Sequence, residues 1–147
     1  MKILVLSDSH HTLLDNLDFE KYDAVIHCGD YGNSLLSLKQ NQVFFVKGNC
    51  DSFGEEYLFF ELYGKKIFVT HGHRENVKYA LDRLVYRSLE RGANLTLFGH
   101  THEQMGFQEE GILFLNPGSY PSSYIEINEE EVKLYQNGTF KSIQYRW

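Results

Sequence analysis

A chain of 147 residues is long enough to fold as one domain that buries about two-thirds of its unfolded surface, so no staple is needed to hold it. With 42% hydrophobic and 23% charged residues, its balance is that of an ordinary globular protein and excludes a chain dominated by disorder. The net charge of -6 argues against a broad basic face for gripping a polyanion, although bound divalent cations would invert the field locally.

The apolar run Ile3-Leu4-Val5-Leu6, followed by Ser7-Asp8-Ser9-His10-His11, reads as a buried strand ending in a polar loop. Residues 12–19 carry apolar side chains at helical spacing and lead into a second strand at 23–27, which makes a βαβ unit. Residues 34–39 are a short helix candidate ahead of a third strand at 43–46. This alternation is that of a parallel sheet, which binds ligands at the carboxyl ends of its strands. Residues 57–62 and 66–70, joined through Tyr63-Gly64-Lys65, look like a hairpin whose second strand delivers His71. Val77, Ala80, Leu81, Leu84, Val85 and Leu89 keep a helical period over 75–91, and Gly92 supplies the stop. A further strand at 95–98 precedes His100 and His102. Beyond them, apolar runs at 105–107, 112–115, 124–127, 132–135 and 140–145, with turns at Glu110-Gly111 and Asn137-Gly138, predict antiparallel β-structure. With no linker or internal repeat, the expected architecture is one α/β domain over 1–147, two packed mixed β-sheets flanked by helices. No run could span a bilayer, and the four apolar residues after Met1-Lys2 are too few for a secretory signal, so the expected location is the cytoplasm.

Five predicted strands run into residues of metal-ligand type: Asp8 and His10, His27 to Asp30, Asn49, His71, and His100 with His102. In Asp8-Ser9-His10 and His100-Thr101-His102, an extended backbone would turn both outer side chains to one side, as ligands of one metal require. Two adjacent divalent cations need an anionic oxygen between them, and Asp30 is the natural bridge. Oxygen and imidazole donors together suit manganese, iron, cobalt, nickel or zinc better than calcium. Asn49 adds a neutral amide oxygen, and the first three clusters recur at about the spacing of a βα repeat. His27 reads as a packed histidine bonded to the backbone. Cys28 and Cys50 are too few for a disulfide scaffold; they read as packed thiols beneath the site, or else as a redox pair or extra metal ligand.

The ordered set Asp8-x-His10, Gly29-Asp30, Gly48-Asn49, His71 and Gly99-His100-x-His102 resembles the calcineurin-like metallophosphoesterase superfamily over residues 2 to about 120. Gly48-Asn49-Cys50-Asp51 and Asn116-Pro117-Gly118-Ser119 look like its small bacterial and archaeal phosphodiesterase branch. The resemblance implies one metal on Asp8, His10, Asp30 and His102 and a second on Asp30, Asn49, His71 and His100, with manganese ahead of iron, nickel, cobalt or zinc. It implies hydrolysis of small phosphate esters, diesters above all, by a metal-bridging hydroxide in line with the leaving oxygen, with Asn49 also touching a phosphate oxygen. Many members place a histidine after the Asn as proton donor; this chain has Cys50, so His73 or His11 takes that part, or no residue does. Asp51 would orient a ligand or a leaving-group contact, or else cap its loop. Arg74 would clamp a substrate phosphate, or else stay a solvated arginine at a helix start.

Two departures narrow the resemblance. Gly29-Asp30 continues as Tyr31-Gly32-Asn33-Ser34, without the arginine of the phosphoprotein phosphatases, and Tyr120-Pro121-Ser122-Ser123 lacks the Pro-Arg often found downstream in the branch. The alternative is a protein-binding scaffold with little or no catalysis, the use a eukaryotic trafficking subunit makes of this fold, but no ligand is lost here. Neither a basic stripe nor an aromatic-basic platform for nucleic acid stands out. The expected partner is a small phosphate ester, with no membrane, and a homo-oligomer is left open.

Overall fold

The computed structural model describes residues 1–14, 17–37 and 42–144. Its strands are β1 (Lys2–Leu6), β2 (Ala24–His27), β3 (Val43–Phe45), β4 (Tyr57–Leu62), β5 (Lys65–Thr70), β6 (Leu95–Leu97), β7 (Met105–Glu109), β8 (Ile112–Asn116), β9 (Ser123–Asn128), β10 (Glu131–Gln136) and β11 (Thr139–Gln144). They form two sheets, ordered β11-β10-β9-β1-β2-β3 and β4-β5-β6-β8-β7. In the first, β1, β2 and β3 are parallel and β9 joins β1 antiparallel. In the second, β5, β6 and β8 are parallel, with β4 and β7 antiparallel at the edges. Both sheets are mixed, as expected.

A strand covered on both faces must be apolar at every position, which is why these runs lack alternation. Ile3 and Val5 of β1 enter the core between the sheets with Ile26, Ile67, Val69, Leu95 and Leu97. Leu4 and Leu6 face the other way, onto Leu14, Tyr22 and Val25. On the second sheet, Phe68 and Phe114 pack outward against Val77, Leu84 and Phe98. Leu84 lies on the α-helix α1 (Asp82–Arg91), which closes at Gly92 (φ 67°) with the Gly92 N–H donating to the Leu89 carbonyl.

The helices differ most from expectation. Over 75–91 only α1 is helical, and residues 73–79 form turns, because Asn76 adopts a left-handed φ of 54° that no α-helix accommodates. Buried Glu75 is also drawn inward, accepting from Thr70 Oγ1 and Arg87. Over 12–19 the described residues hold no α-helix; Leu14 packs inward while Leu13 is exposed, and the only helical turn is a 3-10 turn, Phe19–Lys21, capped by Asp18. Residues 15 and 16 lie outside the described residues. The candidate at 34–39 is a 3-10 turn, Ser34–Ser37, and residues 38 and 39 lie outside the description. Among the described residues the sheets are therefore flanked by one α-helix and two 3-10 turns, and no helix is long and apolar enough to cross a membrane.

This topology gathers six parallel strand ends at one place. Hydrogen bonds from Asp8 N–H to the Gly29 carbonyl, Gly99 N–H to the His71 carbonyl and Tyr120 N–H to the Ser7 carbonyl tie the loops that leave them.

Candidate metal centre

His71, at the end of β5, fixes the chemistry of the centre. Its Nδ1 lies 2.8 Å from the Cys28 carbonyl, which can only accept, so Nδ1 carries a hydrogen. Its Nε2 lies 3.1 Å from Asn49 Oδ1, 3.2 Å from Asp30 Oδ2 and 3.8 Å from Asp8 Oδ1. Asp8 Oδ2 accepts from the Ser7 hydroxyl (2.6 Å) and the His100 N–H (3.1 Å). Its Oδ1 is buried without a hydrogen-bond partner and faces His102 Nε2 at 3.2 Å. A buried carboxylate oxygen with no donor is costly unless a cation supplies the missing charge. Oxygen and imidazole donors converging around such an atom fit a divalent transition metal.

Three groups offer donor atoms that all lie within 4.8 Å of one another: Asp8, His10 and His102; Asp8, Asp30 and His71; and His10, Asp30 and Cys50. Asn49 joins through His71. His100 stands outside these groups, its ring centred 5.0 Å from that of His71, and its pKa is pushed down to about 4 by burial and then by the charge of His71. Burial alone would raise the Asp30 carboxyl, but hydrogen bonds from His71 and the Cys50 N–H hold it well below the usual range. Burial alone would lower His71, yet Asp30 and Asp8 pull it above its ordinary value. Each of the two thus favours the charged form of the other.

Five of the seven expected ligands sit in left-handed backbone: Asp8 (φ 51°), His10 (48°), Asp30 (57°), His100 (73°) and His102 (63°). For residues with a Cβ this conformation costs about 1–2 kcal/mol each, and it concentrates where function demands an unusual direction. Close approach explains two glycines as well. A side chain at Gly48 would strike the Asp30 carboxylate, and one at Gly99 would strike the Ser7 hydroxyl and Asp8 Oδ2.

The remaining candidates fall around this core. Asp51 turns to the backbone, accepting from the N–H groups of Asp30 (2.7 Å) and Gly48 (2.8 Å), which ties the loops after β2 and β3 together. His73 is half-buried, tilted against His71 with ring centres 5.4 Å apart; its Nδ1 has no partner, and burial followed by His71 lowers its pKa. Arg74 is exposed and ion-paired with Glu56. His11 is exposed. His27 is buried between Ser9 Oγ (2.7 Å) and the Gly29 N–H (3.1 Å), and burial takes its pKa down to about 3. Cys28 is buried and burial raises its thiol far above the ordinary value, whereas Cys50 is exposed, its thiol raised by burial and then by Asp30. Ser7 carries no sequence signal that separates it from any loop serine. Nor do Ser119, whose hydroxyl donates to the Asp8 carbonyl, and Asn116, which donates to the Gly99 carbonyl, stand out except within the Asn116-Pro117-Gly118-Ser119 motif.

The sequence profile of the calcineurin-like phosphoesterase superfamily domain matches residues 1–130. Among curated relatives, the probable metallophosphoesterase YsnB of Bacillus subtilis is 36% identical over 127 residues, covering 81% of this chain and 75% of its own. A phosphodiesterase of Methanocaldococcus jannaschii is 27% identical over 145 residues, covering 80% and 83%. Among solved structures, a conserved protein of Streptococcus pneumoniae described as a predicted phosphoesterase superposes with a TM-score of 0.76 at 31% identity, over 98% of this chain and 97% of its own. Zinc-complexed Vps29 of Entamoeba histolytica superposes with a TM-score of 0.77 over 99% and 98%, and at 24% identity that likeness is one of fold. A profile match that runs from β1 to the start of the last hairpin, joined to 36% identity with a named metallophosphoesterase, exceeds what shared topology produces: the chain belongs to the calcineurin-like phosphoesterase superfamily.

Proposed function

We propose that this chain is a metal-dependent phosphodiesterase acting on small phosphate esters, one domain over 1–147, with two divalent ions at the centre. The observation that carries the reading is the buried, donorless Asp8 Oδ1 facing His102 and His71. Asp8, His10, Asp30 and His102 would hold one ion; Asp30, Asn49 and His71, with His100 beside them, would hold the other. Bound there, the ions would acidify a water, orient the phosphoryl group and neutralise its developing charge. Manganese is the ion we propose, with iron, nickel, cobalt or zinc as alternatives that the same oxygen and imidazole donors would accept. Asn49, whose Oδ1 lies 3.1 Å from His71 Nε2, would also touch a phosphoryl oxygen. His73, half-buried with its ring 5.4 Å from that of His71 and its Nδ1 without a partner, would donate a proton to the leaving oxygen or orient the site. Asp51 acts through the Asp30 and Gly48 amides, and Arg74 must leave Glu56 before it can clamp a phosphate. A diester substrate is supported by the Methanocaldococcus relative, whose name is phosphodiesterase. Two free cysteines fit the reducing cytoplasm. The scaffold reading draws on the Vps29 likeness, and the carboxylates and imidazoles that converge around Asp8 and Asp30 support the metal-dependent reading beside it.

Metal-loaded wild type, Asp30→Asn and His71→Ala should be compared on an aryl phosphodiester and its monoester, with metal analysis beside them. Wild type is expected to bind two ions per chain and favour the diester, and each variant to lose about a hundredfold in rate or metal affinity. Equal rates in all three proteins would defeat the reading.

A further inference from the structure

The loop that presents Asn49 continues into an aromatic cleft that the metal centre does not use. From Asn49 the chain turns on the Asp51 carboxylate and returns beside β3, where Val46 bridges to Glu55 and the Lys47 N–H donates to the Glu55 carbonyl (2.8 Å). Between this segment and the edges of the two sheets opens a cleft of about 560 Å3 walled by Phe44, Phe45, Phe53 and Leu58, with Ser52 and Glu55 as its polar lining. Phe53 is 74% exposed, its ring 6.3 Å from that of Phe45, which in turn meets Tyr31 edge-on at 5.4 Å. Tyr31 directly follows Asp30, and its hydroxyl donates to the Phe53 carbonyl. The aromatic wall is thus fastened to two ligand loops.

Size and charge select the occupant. The volume lies in the range of small-molecule sites, and an apolar wall with a few polar groups is their usual composition. Among the described residues the lining holds one carboxylate, Glu55, and no lysine or arginine. The lining thus offers a phosphate no cationic partner, whereas its rings offer a flat uncharged group a stacking surface. Four residue steps separate Asn49 from Phe53, at most about 14 Å of chain, and a nucleoside reaches further across that span than a phenyl ring.

Resting on the phosphodiesterase reading, we propose that this cleft seats the non-leaving substituent of the ester, and that the substrate class is a phosphodiester bearing a flat aromatic group stacked on Phe53. Three p-nitrophenyl diesters sharing one leaving group test it, with methyl, phenyl or thymidine 5′ as the second substituent. Stacking on one aromatic side chain predicts that Phe53→Ala raises KM for the phenyl or thymidine ester about tenfold relative to the methyl ester, and that Phe53→Trp restores it. The ester that responds more tells an aryl ring from a nucleobase. An unchanged ratio to the methyl ester overturns the cleft assignment. Calorimetric titration of thymidine 5′-phosphate and of phenyl phosphate into metal-loaded wild type and Phe53→Ala reads binding without turnover: weaker binding of either by the variant supports the assignment, and equal binding of both overturns it. If wild type hydrolyses none of the three esters, the phosphodiesterase reading falls and the titrations still decide the cleft.

Discussion

His27 and His71 are both buried, yet their pKa values move in opposite directions because of what they face. His27 meets the Gly29 N–H and a serine hydroxyl, so the neutral ring is satisfied and burial pushes it down to about 3. His71 meets two carboxylates, which raise it despite burial. A stability profile follows for the metal-free protein. The Asp30 value is depressed, so its contribution is complete above the ordinary 3.8 and is lost as pH falls through the folded value. The His71 value is raised, so its contribution is complete below the ordinary 6.5 and is lost as pH rises through the folded value. The pair therefore stabilises most between 3.8 and 6.5. Thermal melts of chelated wild type should show their loss above that window, and His71→Gln should lack it. If an ion binds at the proposed site the sign would reverse, because it would displace the His71 proton and binding would weaken as pH falls.

At the level of elements, the strands were readable because burial on both faces leaves continuous apolar runs, as in Ile67, Phe68 and Val69 of β5. The helices were overdrawn because apolar spacing does not show a backbone reversal. Val77 is buried at a helix-like interval from Leu84, but Asn76 at φ 54° breaks the segment into turns. The donor types of the centre could be read from their order, whereas their partners could not, since these come from far along the chain. The His100 N–H reaches Asp8 across 92 residues, and Arg74 turns to Glu56. The stop at Gly92 was visible, and its cost is testable. A Cβ there would meet nothing within 4 Å, so Gly92→Ala isolates the left-handed backbone of the cap. About 1 kcal/mol should be lost, a fall of roughly 2–4 °C in Tm. Gly92→Asn should lose less. A variant as stable as wild type would show that the cap contributes little.

The whole molecule joins two sheets so that their parallel strands end together, and the core between them holds the loops where strain would otherwise relax. The centre carries strain when no ion is bound, because Asp8 Oδ1 is buried without a hydrogen-bond partner and five expected ligands occupy left-handed backbone. An ion that binds only the folded chain at 100 times its Kd adds about 2.7 kcal/mol. For a chain of this size that raises Tm by roughly 5–10 °C. Asp8→Asn separates this effect from general stabilisation. An amide oxygen can still accept from the Ser7 hydroxyl and the His100 N–H, so the loop keeps these hydrogen bonds while the negative charge that would hold the ion is gone. The variant should therefore lose most of the rise that manganese produces in wild type, whatever its own metal-free melting temperature. Equal manganese-induced shifts in the two proteins would place the stabilising ion away from Asp8.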